Sequence, residues 1–258
     1  DQRLRLVDEA GDEVLFLGEV GEDFLDDTLL LEALHPFEPR EENLAHSARR
    51  QRHEQGVPAK RRRLERSQAR LGRWLVQRMP LNTISGPVSG HRMIHVLVTG
   101  ATDGIGRATA KVLAERKCAV LVHGRSEAKA TAAAKDVGGI PVWGDLGNLK
   151  QVRALAAQVE AALGKAPLDV LLNNAGVFET ERHVSADGHE RTMAVNHLAP
   201  FLLTQLLLPK VEAAPQGRVV NVSSMAHARG RLDLKDFDFS KRFDGYAAYA
   251  TSKLANVV

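Results

Sequence analysis

The sequence predicts an α/β fold, a doubly wound parallel sheet with helices on both faces, preceded by an N-terminal appendage of different character. Two observations carry this prediction. From Met93 onward, short apolar runs alternate with helical stretches, the pattern of successive βα units. The first of these runs, Ile94-His95-Val96-Leu97-Val98, leads through Thr99-Gly100-Ala101-Thr102-Asp103-Gly104-Ile105-Gly106 straight into a helical stretch. Strand, glycine turn and helix in that order are how a nucleotide-binding unit begins.

Each element has its own justification. The strand at 94–98 is a short apolar run of strand length, and the helix at 105–116 places Ile105, Ala108 and Val112 along one face. Between them Gly100 permits the tight turn, Gly104 lets backbone approach a pyrophosphate, and Gly106 lets the helix pack close to the sheet. Phosphates would then meet the free N–H groups and positive end of that helix. Further apolar runs at 118–122, 168–172 and 218–222 read as strands, with a shorter one at Pro141-Val142-Trp143. Helical stretches at 126–136, 147–163 and 189–208 separate them.

The 258 residues are enough for one large domain or two smaller ones. Apolar residues make up 44% and charged residues 26%, as in a soluble globular protein. The single cysteine, Cys118, cannot form an internal disulfide and opens an apolar run, so it reads as a core residue in a reducing compartment. No apolar stretch approaches the about 20 residues that span a bilayer, and no signal peptide is visible, although the chain opens on Asp1. A cytoplasmic location is the expectation.

Net charge of +3 conceals an asymmetry. Residues 1–45 are acidic, residues 46–79 are basic with helical character, and 80–92 read as a Pro/Gly-bearing linker. The domain boundary is placed at about residue 92, giving an appendage over 1–92 and a nucleotide-binding domain over 93–258. A basic amphipathic helix over 59–79 would carry Leu64, Leu71, Trp74 and Leu75 on or near one side. A solvated or docked helix, a surface at 47–79 for nucleic acid or anionic membrane, and a segment foreign to the enzyme all remain open readings of it.

Chemistry concentrates in the second domain. Tyr249 and Lys253, at i and i+4, share one helix face, the spacing at which an ammonium can act on a phenol. An unperturbed tyrosine has a pKa of about 10, and a nearby cation is expected to lower it toward working pH. Tyr246 lacks such a partner, because Ala250 stands four residues on. The second strand ends in Val122-His123-Gly124-Arg125, with no acidic residue to bind an adenosine ribose 2′-OH. The Arg125 guanidinium suits a 2′-phosphate, so NADP(H) is expected in preference to NAD(H). Asp145 could also cap the helix at 147–163.

Residues 93–258 resemble the short-chain dehydrogenase/reductase family, and within it the retinol-dehydrogenase-like branch. The resemblance rests on the turn at 99–106, Asn173-Asn174-Ala175-Gly176, Asn196 within Val195-Asn196-His197-Leu198, Ser224 within Asn221-Val222-Ser223-Ser224, and Tyr249-x-x-x-Lys253. It implies a Rossmann-type sheet whose last strands lie beyond this chain. It also implies that Tyr249 exchanges a proton with the substrate oxygen and that Lys253 holds the nicotinamide ribose. Ser224, rather than Ser223, would hydrogen-bond the reacting carbonyl, and Asn196 would keep a water for proton relay.

By the same resemblance the cofactor contacts are Gly100, Thr102, Asp103, Gly104, Ile105 and Gly106 of the turn, with Asp145 and Leu146 at the adenine. Asn173, Ala175 and Gly176 join them, as do Tyr249 and Lys253. No metal is expected. His197 is expected to be a packed or capping residue. The longer interval from Ser224 to Tyr249, with Leu232-Asp233-Leu234-Lys235-Asp236-Phe237 inside it, points to the branch.

The implied activity is hydride transfer between NADP(H) and an alcohol or carbonyl substrate, lipophilic or aromatic, by a chain that can form homo-oligomers. Family members continue through further strands and a substrate loop, whereas this chain stops at Leu254-Ala255-Asn256-Val257-Val258, so both ends read as cuts of a longer frame. The alternative is a catalytically silent cofactor-binding regulator or adaptor whose basic segment recruits a partner.

Overall fold

The computed structural model describes residues 66–70, 72–73, 76 and 92–258. Five parallel strands form the sheet: β1 (His95–Val98), β2 (Ala119–Gly124), β3 (Ile140–Trp143), β4 (Val170–Asn173) and β5 (Arg218–Asn221). Their order in space is β3-β2-β1-β4-β5. It follows from right-handed crossovers through α1 (Gly104–Glu115), α2 (Glu127–Val137) and α3 (Leu149–Leu163). The chain reverses direction of winding between β1 and β4, and the crevice at the carboxyl ends of those two strands is where such sheets bind ligands. Register places Val96, Leu97 and Val98 beside Val170, Leu171 and Leu172, and beside Val120, Leu121 and Val122 on the other side.

Strand periodicity divides the core into two layers. Val96, Val98, Val120, Val122 and Leu172 point to the face covered by α1 and α2, where Leu113, Ala133 and Val137 meet them. Leu97, Leu121 and Leu171 point to the opposite face, against Val152, Leu155 and Val159 of α3 and Leu203 and Leu207 of a later helix. Cys118 is buried in the first layer, as expected, and burial raises its thiol pKa. At the floor of the sheet, fully buried Asp169 accepts the His95 N–H at 2.8 Å and pairs with Arg92, tying β4 to β1.

The helical stretch expected at 189–208 has more structure than its periodicity shows. It comprises a short turn, α4 (Arg191–Met193), a π-helical segment (Ala194–Leu198), and α5 (Ala199–Glu212). Buried Glu190 opens it by accepting the Thr192 and Met193 N–H groups, each at 2.9 Å. Pro209 does not end the helix, which runs on to Glu212. A 3-10 turn (Met225–Arg229) and α6 (Gly245–Ala255) follow β5, and Asp244 caps α6 through the Ala247 N–H.

The described residues of the basic segment, 66–70, 72–73 and 76, are helical. Leu64, Leu71, Trp74 and Leu75, the apolar stripe expected there, lie outside the described residues, as do the acidic segment and the linker up to residue 91. Val76 is fully buried in the α1/α2 layer, so packing runs across the boundary expected at residue 92.

Candidate active site

The turn after β1 is held open by its neighbours. Thr99 Oγ1 accepts the N–H groups of Asn174 and Ala175 at 2.9 and 3.0 Å, fastening the β4 loop to the end of β1. Gly100, at φ +64°, lies where a Cβ would come within 2.9 Å of the Ala175 Cα, and a Cβ on Gly106 would collide with the Gly100 carbonyl and the Asn174 amide. Asp103 caps α1, its carboxylate accepting the Gly104 N–H at 2.7 Å.

The result is a cleft of about 520 Å³ across the switch point. Gly100 and residues 102–106 line it at one side, Gly124 and Arg125 at the end of β2, and Asp145 and Leu146 after β3. Ala175 and Gly176 complete it after β4. Asn173 is elsewhere. It is the last residue of β4 and buried, and its amide donates to Asn221 Oδ1 at 2.9 Å and Thr204 Oγ1 at 3.2 Å. Asn174 occupies the cleft wall instead, because strand alternation turns adjacent side chains to opposite faces.

Asp145 does not cap α3. Asn148 does, accepting the Gln151 N–H at 3.1 Å, while Asp145 Oδ1 accepts the Gly147 N–H at 2.8 Å and shapes the loop before it. The helix begins two residues later than the expected start at 147, at Leu149, and this displaces the cap.

Cleft residues that the sequence did not single out are Lys129, Arg191, Gln68 and His123. Lys129 lies in the first turn of α2, four residues after Arg125, which precedes the Ser126 cap of that helix. His123 is buried, accepts the Gly100 N–H on Nδ1 at 3.1 Å and meets the Gly144 carbonyl with Nε2 at 3.0 Å. Since a backbone N–H can only donate, Nδ1 is the acceptor and the proton sits on Nε2.

Beside Gly176 the cleft meets a polar cluster. A Cβ on Gly176 would lie 3.4 Å from Lys253 Nζ and 3.5 Å from Asn196 Oδ1. Lys253 is buried, donates to the Val222 carbonyl at 2.9 Å, and lies 5.7 Å from the centre of the Tyr249 ring. Burial lowers its pKa to about 8. Tyr249 rests edge-on against Phe178, with ring centres 5.5 Å apart, and the Ser224 hydroxyl, which also accepts the Ala226 N–H at 3.2 Å, acts to lower the phenol pKa.

The expected depression of the Tyr249 pKa by Lys253 is not found. Burial raises it, and the opposing influence is the Ser224 hydrogen bond. The reason is burial: the phenol loses more from lost hydration than it regains from the Ser224 hydroxyl, and Lys253 is not among the groups that act on it. Ser223 is turned away, its hydroxyl donating to the Lys253 carbonyl at 2.8 Å.

Asn196 sits in the π-helical segment, 1% exposed. Its side chain accepts the Val177 N–H at 2.7 Å and donates to the Val177 carbonyl at 2.9 Å and to Ser252 Oγ at 3.0 Å. Its own carbonyl accepts from Asn256 at 2.8 Å. His197 is packed, as expected, against Phe237 and Asn256.

These residues fit a dinucleotide. The glycine turn gives room for phosphates, Gly176 leaves space beside a buried ammonium for a sugar, and cations stand at the β2 end. Among the described residues no group of His, Cys, Asp and Glu is placed to hold a metal ion, and no helix is long and apolar enough to cross a membrane.

Comparison with known proteins agrees with this geometry. Residues 94–257 match the family model described as short chain dehydrogenase. Human retinol dehydrogenase 13 is 40% identical over 171 residues, which is 63% of this chain and 51% of that protein. Human retinol dehydrogenase 11 is 41% identical over 170 residues, 63% and 53% respectively. Mouse polyprenol dehydrogenase is 41% identical over 172 residues, 62% and 50%. The chain thus spans about half the length of the curated relatives it matches.

Among solved structures, an uncharacterized protein from Mycobacterium paratuberculosis aligns with a TM-score of 0.55 and 36% identity, over 66% of this chain and 61% of that one. A short-chain dehydrogenase from Streptomyces avermitilis aligns with a TM-score of 0.51 and 26% identity, over 64% and 57%. A parallel sheet wound about the β1/β4 switch point, a glycine turn against its first helix, and a family model matched over 94–257 lead to one assignment: the chain belongs to the short-chain dehydrogenase family.

Proposed function

We propose that the protein to which this chain belongs is an NADP(H)-dependent oxidoreductase that interconverts a lipophilic alcohol and its carbonyl compound. The observation that carries the reading is the buried Lys253 ammonium beside Gly176 of the cleft, one helical turn from Tyr249 and 5.7 Å from the centre of its ring. When bound, the nicotinamide cofactor supplies the hydride for carbonyl reduction or accepts it in alcohol oxidation.

The chain's own residues do the rest. A substrate oxygen beside Tyr249 would accept from its phenol and from the Ser224 hydroxyl, the group that acts on that phenol. In the reductive direction the Tyr249 phenol gives its proton to that oxygen, and in the oxidative direction the phenolate takes it back. Lys253 holds the ribose hydroxyls beside Gly176. Asn196 fixes the Val177 backbone at the wall of the cleft, and a water at its carbonyl would return the proton to Tyr249.

Arg125 and Lys129 support the phosphate-bearing cofactor. Both line the β2 end of the cleft, both are exposed, and the carboxylate that follows β2, Glu127 of α2, is not among the residues lining the cleft. Two of the related proteins are named for retinol and polyprenol, which are long apolar alcohols, and this supports a lipophilic substrate class.

The test is a titration of the chain with NADPH and NADH, followed by cofactor fluorescence, and then an assay of NADPH oxidation with retinal as the carbonyl. Saturable binding that favours NADPH by about tenfold or more, with turnover abolished in Tyr249→Phe while binding persists, is the expected result. Preference for NADH would sink the role given to Arg125 and Lys129. Equal turnover by Tyr249→Phe would sink the role given to Tyr249.

A further inference from the structure

The described helical residues of the basic segment lie on α1 at the phosphate side of the cleft. Gly72 makes that approach: a Cβ there would come 2.8 Å from the Thr109 nitrogen and 2.9 Å from the Ala108 carbonyl carbon, so only a residue without a side chain fits. Val76 anchors the same segment by full burial beside Val96, Val98 and Leu113. Four residues before Gly72, Gln68 reaches the cleft wall, its Nε2 only 3.7 Å from the position a Cβ on Gly104 would take. Arg66, Arg70 and Arg73 are exposed on the same segment.

The turn itself lacks what this segment offers. Asp103 consumes the Gly104 N–H with its carboxylate, which removes one backbone donor and leaves a negative charge where a diphosphate is expected. An anion at that point gains from a further donor.

We propose that this N-terminal segment contributes to the nucleotide site through Gln68, which donates its side-chain amide to the cofactor diphosphate beside Gly104. The inference rests on the dinucleotide reading above and gives residues outside the matched family region a function in that site. It also explains why Gly72 must be a glycine, since a larger residue would lift Gln68 away from Gly104.

The experiment measures NADPH dissociation constants for the whole 258-residue chain by fluorescence, in low and high salt, with thermal unfolding run in parallel. Gln68→Ala is expected to weaken NADPH by about five- to tenfold and Gln68→Glu by more, the difference between them shrinking in high salt. Both should unfold at the wild-type temperature, because Gln68 is not in the core. Adenosine 2′-monophosphate, which has no diphosphate, should bind wild type and both variants alike. Gly72→Val should reproduce the Gln68→Ala loss, and combining the two should add nothing.

Variants that bind NADPH as wild type does would overturn this inference alone, as would tighter binding by Gln68→Ala, which would make the side chain an obstruction. A wild-type chain that binds neither NADPH nor adenosine 2′-monophosphate would overturn the dinucleotide reading, and this inference with it.

Discussion

Lys253 Nζ gives its hydrogen bond to the Val222 carbonyl at 2.9 Å, while the Tyr249 ring centre lies 5.7 Å away. An ammonium whose pKa falls from 10.5 to about 8 through burial is held charged at neutral pH at a cost on the order of 3 kcal/mol. The sign follows from proton binding. Below pH 8 both folded and unfolded chains carry the proton and the cost is complete. Between 8 and 10.5 only the unfolded chain holds it fully, so this contribution to stability rises with pH.

Lys253→Met removes that cost but leaves the Val222 carbonyl without its donor, a loss of about 1–3 kcal/mol. The variant should therefore be as stable as wild type or more so at pH 7, with its advantage shrinking as pH rises toward 10.5. Urea unfolding at several pH values measures this. A variant clearly less stable at pH 7 would mean the ammonium stabilises the fold rather than burdening it.

Tyr249 titrates the other way from its expected role. Burial raises its pKa above the ordinary 10.0, and the Ser224 hydrogen bond restrains the rise. The phenol is thus protonated through the neutral range, ready to act as an acid in carbonyl reduction. Removing the restraint in Ser224→Ala should move the phenol still higher. A spectrophotometric titration of the phenolate, using Tyr249→Phe to subtract Tyr246, reads both values. A Ser224→Ala phenol that titrates lower than wild type would refute the hydrogen bond's stabilising of the phenolate.

What was legible in the sequence was local or periodic. The glycine turn, the Tyr249/Lys253 spacing and the alternation of strands and helices each follow from neighbours a few residues apart. The unread features depend on contacts between distant segments. Asn173 and Asn174 are adjacent letters, and only the pleat of β4 sends one to Thr204 and Asn221 and the other to the cleft. The π-helical segment around Asn196 leaves no mark in an apolar run. The Tyr249 shift could not be foreseen either, because spacing on α6 does not reveal how far the phenol is buried.

Arg125, just after β2, and Lys129, in the first turn of α2, should act on the phosphorylated cofactor alone. Alanine at either position is expected to weaken NADPH by about tenfold while leaving NADH within about twofold, and raising the ionic strength should compress the difference. Dissociation constants for both nucleotides at two salt concentrations decide it. Equal losses for the two cofactors would assign these cations to the adenine or diphosphate instead.

His123 joins the ends of three strands, taking the Gly100 N–H at 3.1 Å on Nδ1 and reaching the Gly144 carbonyl at 3.0 Å with Nε2. Burial lowers its pKa from 6.5, outweighing the Gly144 hydrogen bond and the charge of Asp145, which both raise it. Above pH 6.5 neither folded nor unfolded chain holds the proton, and stability is complete. Below it the unfolded chain takes up a proton that the folded imidazole refuses, so stability falls as pH drops. His95, also lowered by burial, adds to the same slope, so the wild-type curve alone does not isolate His123.

His123→Asn keeps an acceptor near Gly100 but cannot titrate, and it loses the reach to Gly144 at a cost of about 1–3 kcal/mol. Its unfolding free energy should start lower than wild type at pH 7.5, and the gap should narrow by up to about 1.4 kcal/mol for each pH unit below 6.5. Parallel curves from pH 7.5 to 5 would show that His123 accepts its proton in the folded chain, and that the turn tolerates an imidazolium beneath Gly100.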